Sequence, residues 1–140
     1  MVCALCITSS EVFANIRFFL DPNNNATVSN SNVTVYGASP GNEIVTIAPG
    51  MSGILIDQNI ERINFSGASI SYTFRQTGNM IIVYDSTGTT LIATAAVQDD
   101  ADGTLLSFSD GTASAKFSGS IITLGTQTVS SGVATALTLF

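Results

Sequence analysis

Residues 70–97 read ISYTFRQTGNMIIVYDSTGTTLIATAAV. Ile70, Tyr72 and Phe74 alternate with Ser71, Thr73 and Arg75, the period-two pattern of a half-buried strand. Met80 to Tyr84 and Leu91 to Val97 are unbroken apolar runs of strand length, as expected of strands covered on both faces. Gly78-Asn79 and Asp85-Ser86-Thr87-Gly88 separate them with residues that favour tight turns. Outward from this stretch the same grammar continues. Val33 and Val35, then Ile44, Thr46 and Ala48, then Ile54 and Ile56, each alternate with partners of the opposite character. Turn residues recur at Gly37 to Gly41, Pro49-Gly50, Gly67, Asp102-Gly103, Asp110-Gly111, Gly119 and Gly125. Short strands at such spacing predict an all-β chain, folded as a jelly-roll-like antiparallel β-sandwich.

The first thirty residues read differently. Val12, Ala14, Ile16, Phe18 and Leu20 alternate strictly, and β-branched and aromatic residues dominate, which favours one long strand over a helix capped at Ser10-Glu11. Leu20-Asp21-Pro22 ends that element, and Asn23 to Asn32 is a polar linker. The expected organisation is therefore an N-terminal extension over 1–31 and a β-sandwich domain over 32–140.

Composition narrows the function. At 140 residues and 14.5 kDa the chain suits one domain, large enough to bury about two-thirds of its unfolded surface. Four Lys+Arg against ten Asp+Glu give a net charge of −6. Four dispersed cations cannot build a phosphate-binding surface, which excludes nucleic acid and attraction to anionic lipid. With no His, a Ser or Cys nucleophile has no imidazole base, and zinc or haem has no His ligand. Only 10% of residues are charged, against about 25% in ordinary domains; such a surface is weakly self-repelling and suited to contact with copies of itself.

Met1 to Leu20 lacks a basic start and contains Ser9, Ser10, Glu11, Asn15 and Arg17. It reads neither as a transmembrane segment nor as a cleaved N-terminal signal peptide. Ser130 to Phe140 (SSGVATALTLF) looks like the uncleaved C-terminal signals of type I secretion, and equally like a terminal strand.

Two acidic clusters could carry chemistry. Asp99-Asp100-Ala101-Asp102 places three carboxylates in four residues, which repel unless water or a hard cation such as calcium separates them. Asp110 is a candidate extra ligand from the next turn. The template of an EF-hand loop fails here, and the plainer alternative is a solvated turn. Asp57, Asn59 and Glu61 share one face of an extended segment, with Asn42 and Glu43 on an earlier turn; the plainer alternative is the polar face of an edge strand. Cys3 and Cys6 stand too far apart on a strand to bridge each other, leaving either a disulfide to another subunit or two small apolar residues in a packed terminus. No nucleophilic triad can be assembled, and no Trp is present to line a glycosidase cleft.

Val35-Tyr36-Gly37-Ala38-Ser39-Pro40-Gly41-Asn42-Glu43-Ile44-Val45-Thr46-Ile47, Leu55 to Ile63 and Tyr72 to Asp85, continuing through Asp102 to Phe108, resemble a β-domain of large bacterial extracellular proteins of the haemolysin-type calcium-binding, surface-layer or adhesin kind. The glycine-aspartate nonapeptide repeats of haemolysin-type proteins are absent, which speaks against a parallel β-roll. A small chain of this type also resembles subunits of calcium-dependent extracellular threads that assemble by donor-strand complementation. That resemblance implies a secreted, non-enzymatic subunit of a homopolymer, stabilised by calcium and serving adhesion or biofilm. Val12, Ala14, Ile16, Phe18 and Leu20 would be the donated face. An added strand satisfies the backbone groups and apolar trough of an incomplete sheet. The alternatives are a monomeric extracellular module binding carbohydrate or another ligand, and donation by Val133 to Phe140 instead.

Overall fold

The computed structural model describes residues 16–139. Fourteen short strands run β1 Ile16–Phe19, β2 Asn25–Val28, β3 Val33–Tyr36, β4 Glu43–Ile47, β5 Ile54–Ile56, β6 Ile60–Asn64, β7 Tyr72–Thr77, β8 Met80–Asp85, β9 Leu91–Ala96, β10 Thr104–Phe108, β11 Gly111–Ser118, β12 Ile121–Leu124, β13 Gln127–Thr128 and β14 Thr135–Ala136. They form two seven-stranded sheets. Sheet 1 is ordered β14-β7-β8-β9-β5-β3-β1 and sheet 2 is ordered β13-β12-β11-β10-β6-β4-β2. Alternate residues point between the sheets. Val33, Val35, Ile54, Ile56, Phe74, Ile81, Val83, Ala93 and Ala95 of sheet 1 meet Val45, Ile47, Ile63, Leu106, Ala115, Ile122 and Leu124 of sheet 2. The all-β sandwich expected from the alternation is what the structure shows.

Strand direction differs from the antiparallel expectation in the first half. β1, β3, β5 and β9 run parallel to one another, as do β2, β4, β6 and β10. The chain winds from one sheet to the other and back. Each turn adds one strand to each sheet, with paired positions 17 residues apart at Ile16 and Val33, and 18 apart at Val45 and Ile63. The parallel winding that the missing nonapeptide repeats argued against is therefore present. Sheets stack about 10 Å apart, a gap that roughly three extended residues cross. The corners Leu20–Asn24, Gly37–Asn42 and Asp57–Asn59 are long enough to cross it, so each carries the chain to the facing sheet instead of turning it back. Alternation reports which face is buried, not which way the neighbour runs.

In the second half the tight turns act as expected. Gly78-Asn79 and Asp85 to Thr90 fold β7, β8 and β9 as antiparallel hairpins, and β10 to β13 follow in the same manner. Asn23 to Asn32, expected to be a polar linker, contains β2, which is an edge strand of sheet 2. At Gly103 (φ +70°) a Cβ would overlap Ala115 O, so the last corner closes only around glycine.

Leu106 is fully buried at the centre of sheet 2. Leu106→Ala should cost about 2–5 kcal/mol in urea unfolding, whereas Ile121→Ala, at an exposed site, should stay within about 0.5 kcal/mol.

Candidate functional site: the acidic edge, the open end and the outer groove

Parallel winding gathers all corners of one kind at one edge. The C-terminal ends of β1, β3, β5 and β9 and the N-terminal ends of β2, β4, β6 and β10 share that edge. It collects Asn42, Glu43, Asp57, Asn59, Glu61, Asp99, Asp100 and Asp102, the residues singled out in the sequence, while Asp110 lies at the opposite edge.

Most of these carboxylates are already engaged. Glu43 is fully buried; its Oε1 accepts from the Asn23 amide at 2.8 Å and its Oε2 from the Ala38 amide at 2.9 Å. It thereby ties the first corner to the second, and Gly41 leaves the space its carboxylate fills. Asp57 Oδ1 accepts from the Gly37 amide at 3.1 Å and the Asn59 amide at 2.9 Å, tying the second corner to the third. Gln98 Nε2 donates to Glu61 Oε1 at 2.8 Å, which joins the third corner to the fourth. Asp100 Oδ1 takes the Asp102 and Gly103 amides within its own loop. The side chain of Asn23 accepts from the Asn42 amide at 3.1 Å.

Among the described residues no group of three or more His, Cys, Asp or Glu stands close enough to hold a metal ion. The expected calcium ligands other than Asp110 therefore share an edge, without three carboxylates standing together among the described residues. Period-two spacing put Asp57, Asn59 and Glu61 on one face, but Asp57 and Asn59 sit in the corner before the strand. Asp110 accepts from Ser69 N at 2.8 Å and Ser69 Oγ at 2.9 Å, joining the β10–β11 turn to the segment leading into β7. The Ser69 amide holds the Asp110 carboxyl below its ordinary value. Hydrogen bonding from the Thr87 hydroxyl does the same, more strongly, for Asp85.

The two ends of the sandwich are unlike. At one, β13 and β14 are bridged by Gln127, whose Nε2 donates to Ala136 O at 2.6 Å and whose Oε1 accepts from Thr138 N at 3.3 Å. Val129 and Leu137 are buried there, and Leu139 packs against the core. At the other end, Ile16 and Phe18 pair in register with the buried Val33 and Val35, so they point toward the core. Yet they remain 42% and 38% exposed. Among the described residues nothing covers the core at β1.

Of the expected donor face, Ile16, Phe18 and Leu20 lie against their own chain in parallel with Val33–Tyr36. Val12 and Ala14 lie outside the described residues, as do Cys3 and Cys6. The segment expected to leave its own body is, from Ile16 onward, part of it.

The outer faces also differ. On sheet 2, Arg62 donates to Asn64 Oδ1 at 2.7 Å and Ser107 Oγ at 3.1 Å, and Asn64 to Thr46 Oγ1 at 3.1 Å, a polar ladder. Sheet 1 instead presents Phe19 stacked on Tyr36, with ring centroids 4.9 Å apart, followed by Leu55, Met80 and Ile82. A groove of about 370 Å³ runs among Tyr36, Leu55, Met80 and Ala96 and meets the acidic edge at Asp57, Gln58 and Asn59.

Sequence reading missed the buried Gln76, which spans the sheets by donating to Gly78 O and Ser120 O and accepting from Ile122 N at 2.8 Å. Its signal was a polar residue at the inward position of the Tyr72, Phe74, Gln76 series. No family model, curated protein or solved structure matches the chain.

Removing one partner of a buried hydrogen-bonded group strands the other. Glu43→Ala should therefore lose about 1–3 kcal/mol in urea unfolding, and Glu43→Gln, with one amide turned donor-to-donor, should recover only part of it. Asp85 and Asp110 have depressed folded values. Their contribution is complete above the ordinary carboxylate value of 3.8 and is lost as pH falls through the lower folded values. The urea midpoint should fall on acidification below that value, and the fall should be shallower in Asp110→Asn.

Proposed function

We propose that this protein is a non-enzymatic structural subunit of a secreted bacterial filament or surface layer, and that it joins further copies through the open β1/β2 end. The observation that carries this reading is the exposure of Ile16 and Phe18 at core-facing positions. Covering an apolar side chain of that size contributes roughly 1.5–3 kcal/mol when complete. A strand added beside β1 also satisfies a row of backbone groups left without partners among the described residues. The edge carries little to repel it. Arg17 is its one charge, and neither Lys nor Pro interrupts it.

Exchange between two open ends is isologous and closes as a pair. A filament therefore needs a second contact. The low charge content and the resemblance to calcium-dependent thread subunits support an extracellular setting, with adhesion or biofilm as the role. Calcium belongs to this reading as an ion shared between copies, since Asp99 and Asp102 are exposed while the other edge carboxylates serve their own corners.

Light scattering with millimolar calcium and with chelator tests both parts. Wild type should exceed 14.5 kDa in a concentration-dependent manner, and the double variant Ile16→Lys/Phe18→Lys should stay monomeric with an unchanged circular-dichroism spectrum. A wild-type monomer at every concentration sinks the reading. Growth beyond pairs only with calcium assigns the second contact to the ion.

A further inference from the structure

The groove on the outer face of sheet 1 begins one strand in from the open end, where Tyr36 stacks on Phe19 of β1; it lies on the solvent side of the sheet, whereas Ile16 and Phe18 face the core. We propose that it is a binding site for an uncharged hexose unit of a glycan. Its floor is mainly apolar: Tyr36 on β3, Leu55 on β5 and Met80 on β8 all face outward, with Thr34, a hydroxyl residue, paired beside the exposed Leu55. One rim is polar and belongs to a single corner, Asp57-Gln58-Asn59.

This rim is held in place before any ligand arrives. Asp57 Oδ1 accepts the Gly37 and Asn59 amides, which fixes the plane of the carboxylate. Its other oxygen accepts no hydrogen bond among the described residues. Beside it stand two side-chain amides, each able to donate and accept.

A pyranose ring matches that division. One of its faces is a patch of C–H groups, and its rim is a set of hydroxyls that both donate and accept. Apolar walls with a few placed polar groups are the usual make-up of a small-ligand site, and the volume of about 370 Å³ falls at the lower end of the usual 300–1,000 Å³. That size suits one or two sugar rings and is small for a protein partner.

Charge selects among saccharides. The groove is lined by one carboxylate and no cation, on a chain of net charge −6. A uronate, sulfated or phosphorylated sugar would bring its charge beside Asp57 without a counter-ion. A neutral hexose meets no such penalty.

The test is an amide-resolved NMR titration of the ¹⁵N-labelled full chain with maltohexaose, cellohexaose and mannohexaose, with a galacturonate hexamer as the anionic arm. At least one neutral oligomer should shift the Tyr36, Leu55, Asp57 and Asn59 amides, at concentrations up to about 10 mM, where a millimolar Kd saturates. The galacturonate hexamer should leave them in place. Leu55→Lys changes an exposed residue, so the rest of its spectrum should be retained while affinity for the same oligomer falls about tenfold or more. Asp57→Asn keeps an acceptor for the corner amides and removes the charge; it should let the galacturonate hexamer in. No shift at those four amides with any neutral oligomer overturns the proposal, as does equal binding of the anionic arm to wild type. Shifts of the same amides on raising protein concentration alone would make a second copy the occupant and overturn it as well.

Discussion

Glu43 brings its carboxylate into a fully buried corner and accepts one backbone amide from the turn before it and one from its own. A buried ionised group left unpaired costs several kcal/mol, while hydrogen bonds to a charge are among the stronger kinds. The corner therefore closes in one arrangement, the one that feeds both oxygens. Everything downstream inherits that arrangement. In a sandwich whose strands alternate faces, a slip of one residue turns every core side chain outward. Coils of unequal length, such as 17 residues and then 21 (Ile16 to Val33, then Val35 to Ile56), cannot set register by repetition alone. The Glu43 and Asp57 carboxylates and the Gln98–Glu61 contact set it corner by corner, at 2.8–3.1 Å.

That accounts for what the sequence did and did not disclose. Burial follows from side-chain chemistry, so Val33, Val35, Ile54, Ile56 and Phe74 were legible as core positions, whereas the run Met80 to Tyr84, expected to be covered on both faces, buries only Ile81 and Val83. Hairpins were legible wherever a two-residue turn such as Gly78-Asn79 fixed them. The direction of pairing in the first half was not, because Gly37 to Asn42 is as compatible with a return along the same sheet as with a crossing to the facing one. Residues 23–32 read as a linker because they are polar, and Asn25 and Thr27 are indeed exposed. They form an edge strand whose single buried side chain is Val28. The acidic clusters, Asp110 apart, were legible as a shared locale, but the backbone amides that Glu43, Asp57 and Asp100 accept were not. A carboxylate that accepts backbone amides looks, in sequence, the same as one that awaits a cation.

Two regimes of winding divide the molecule. Parallel coiling is extensible, since each coil leaves behind an edge like the one it covered. Antiparallel hairpins turn the chain back on itself. From β7 onward the hairpin regime prevails, and the segment from Val129 to Leu139 then closes that end, with Val129 and Leu137 buried and the Gln127 amide bridging the last two strands. The first coil has no such closure among the described residues. Its inward side chains, Ile16 and Phe18, are the same kind of residue that Val33 and Val35 are one coil later; they differ in having no next layer among the described residues.

The two outer faces sharpen the distinction between what the fold requires and what it leaves over. Sheet 2 spends Arg62, Asn64, Ser107 and Thr46 on one another, so its outer surface is internally satisfied. On sheet 1 the aromatic pair Phe19 and Tyr36 and the exposed Leu55 make no equivalent closure. Neither face is needed to keep the sheets together, because the core between them is complete from Val33 to Leu124. The apolar outer face of sheet 1 is therefore surplus to folding, whereas the Asp57 corner beside it also sets register. Its polar groups converge at one corner, where the Asp57 carboxylate is already held by Gly37 and Asn59. The same residue that fixes register at this corner also lines the groove, so fold and outer surface share one carboxylate there.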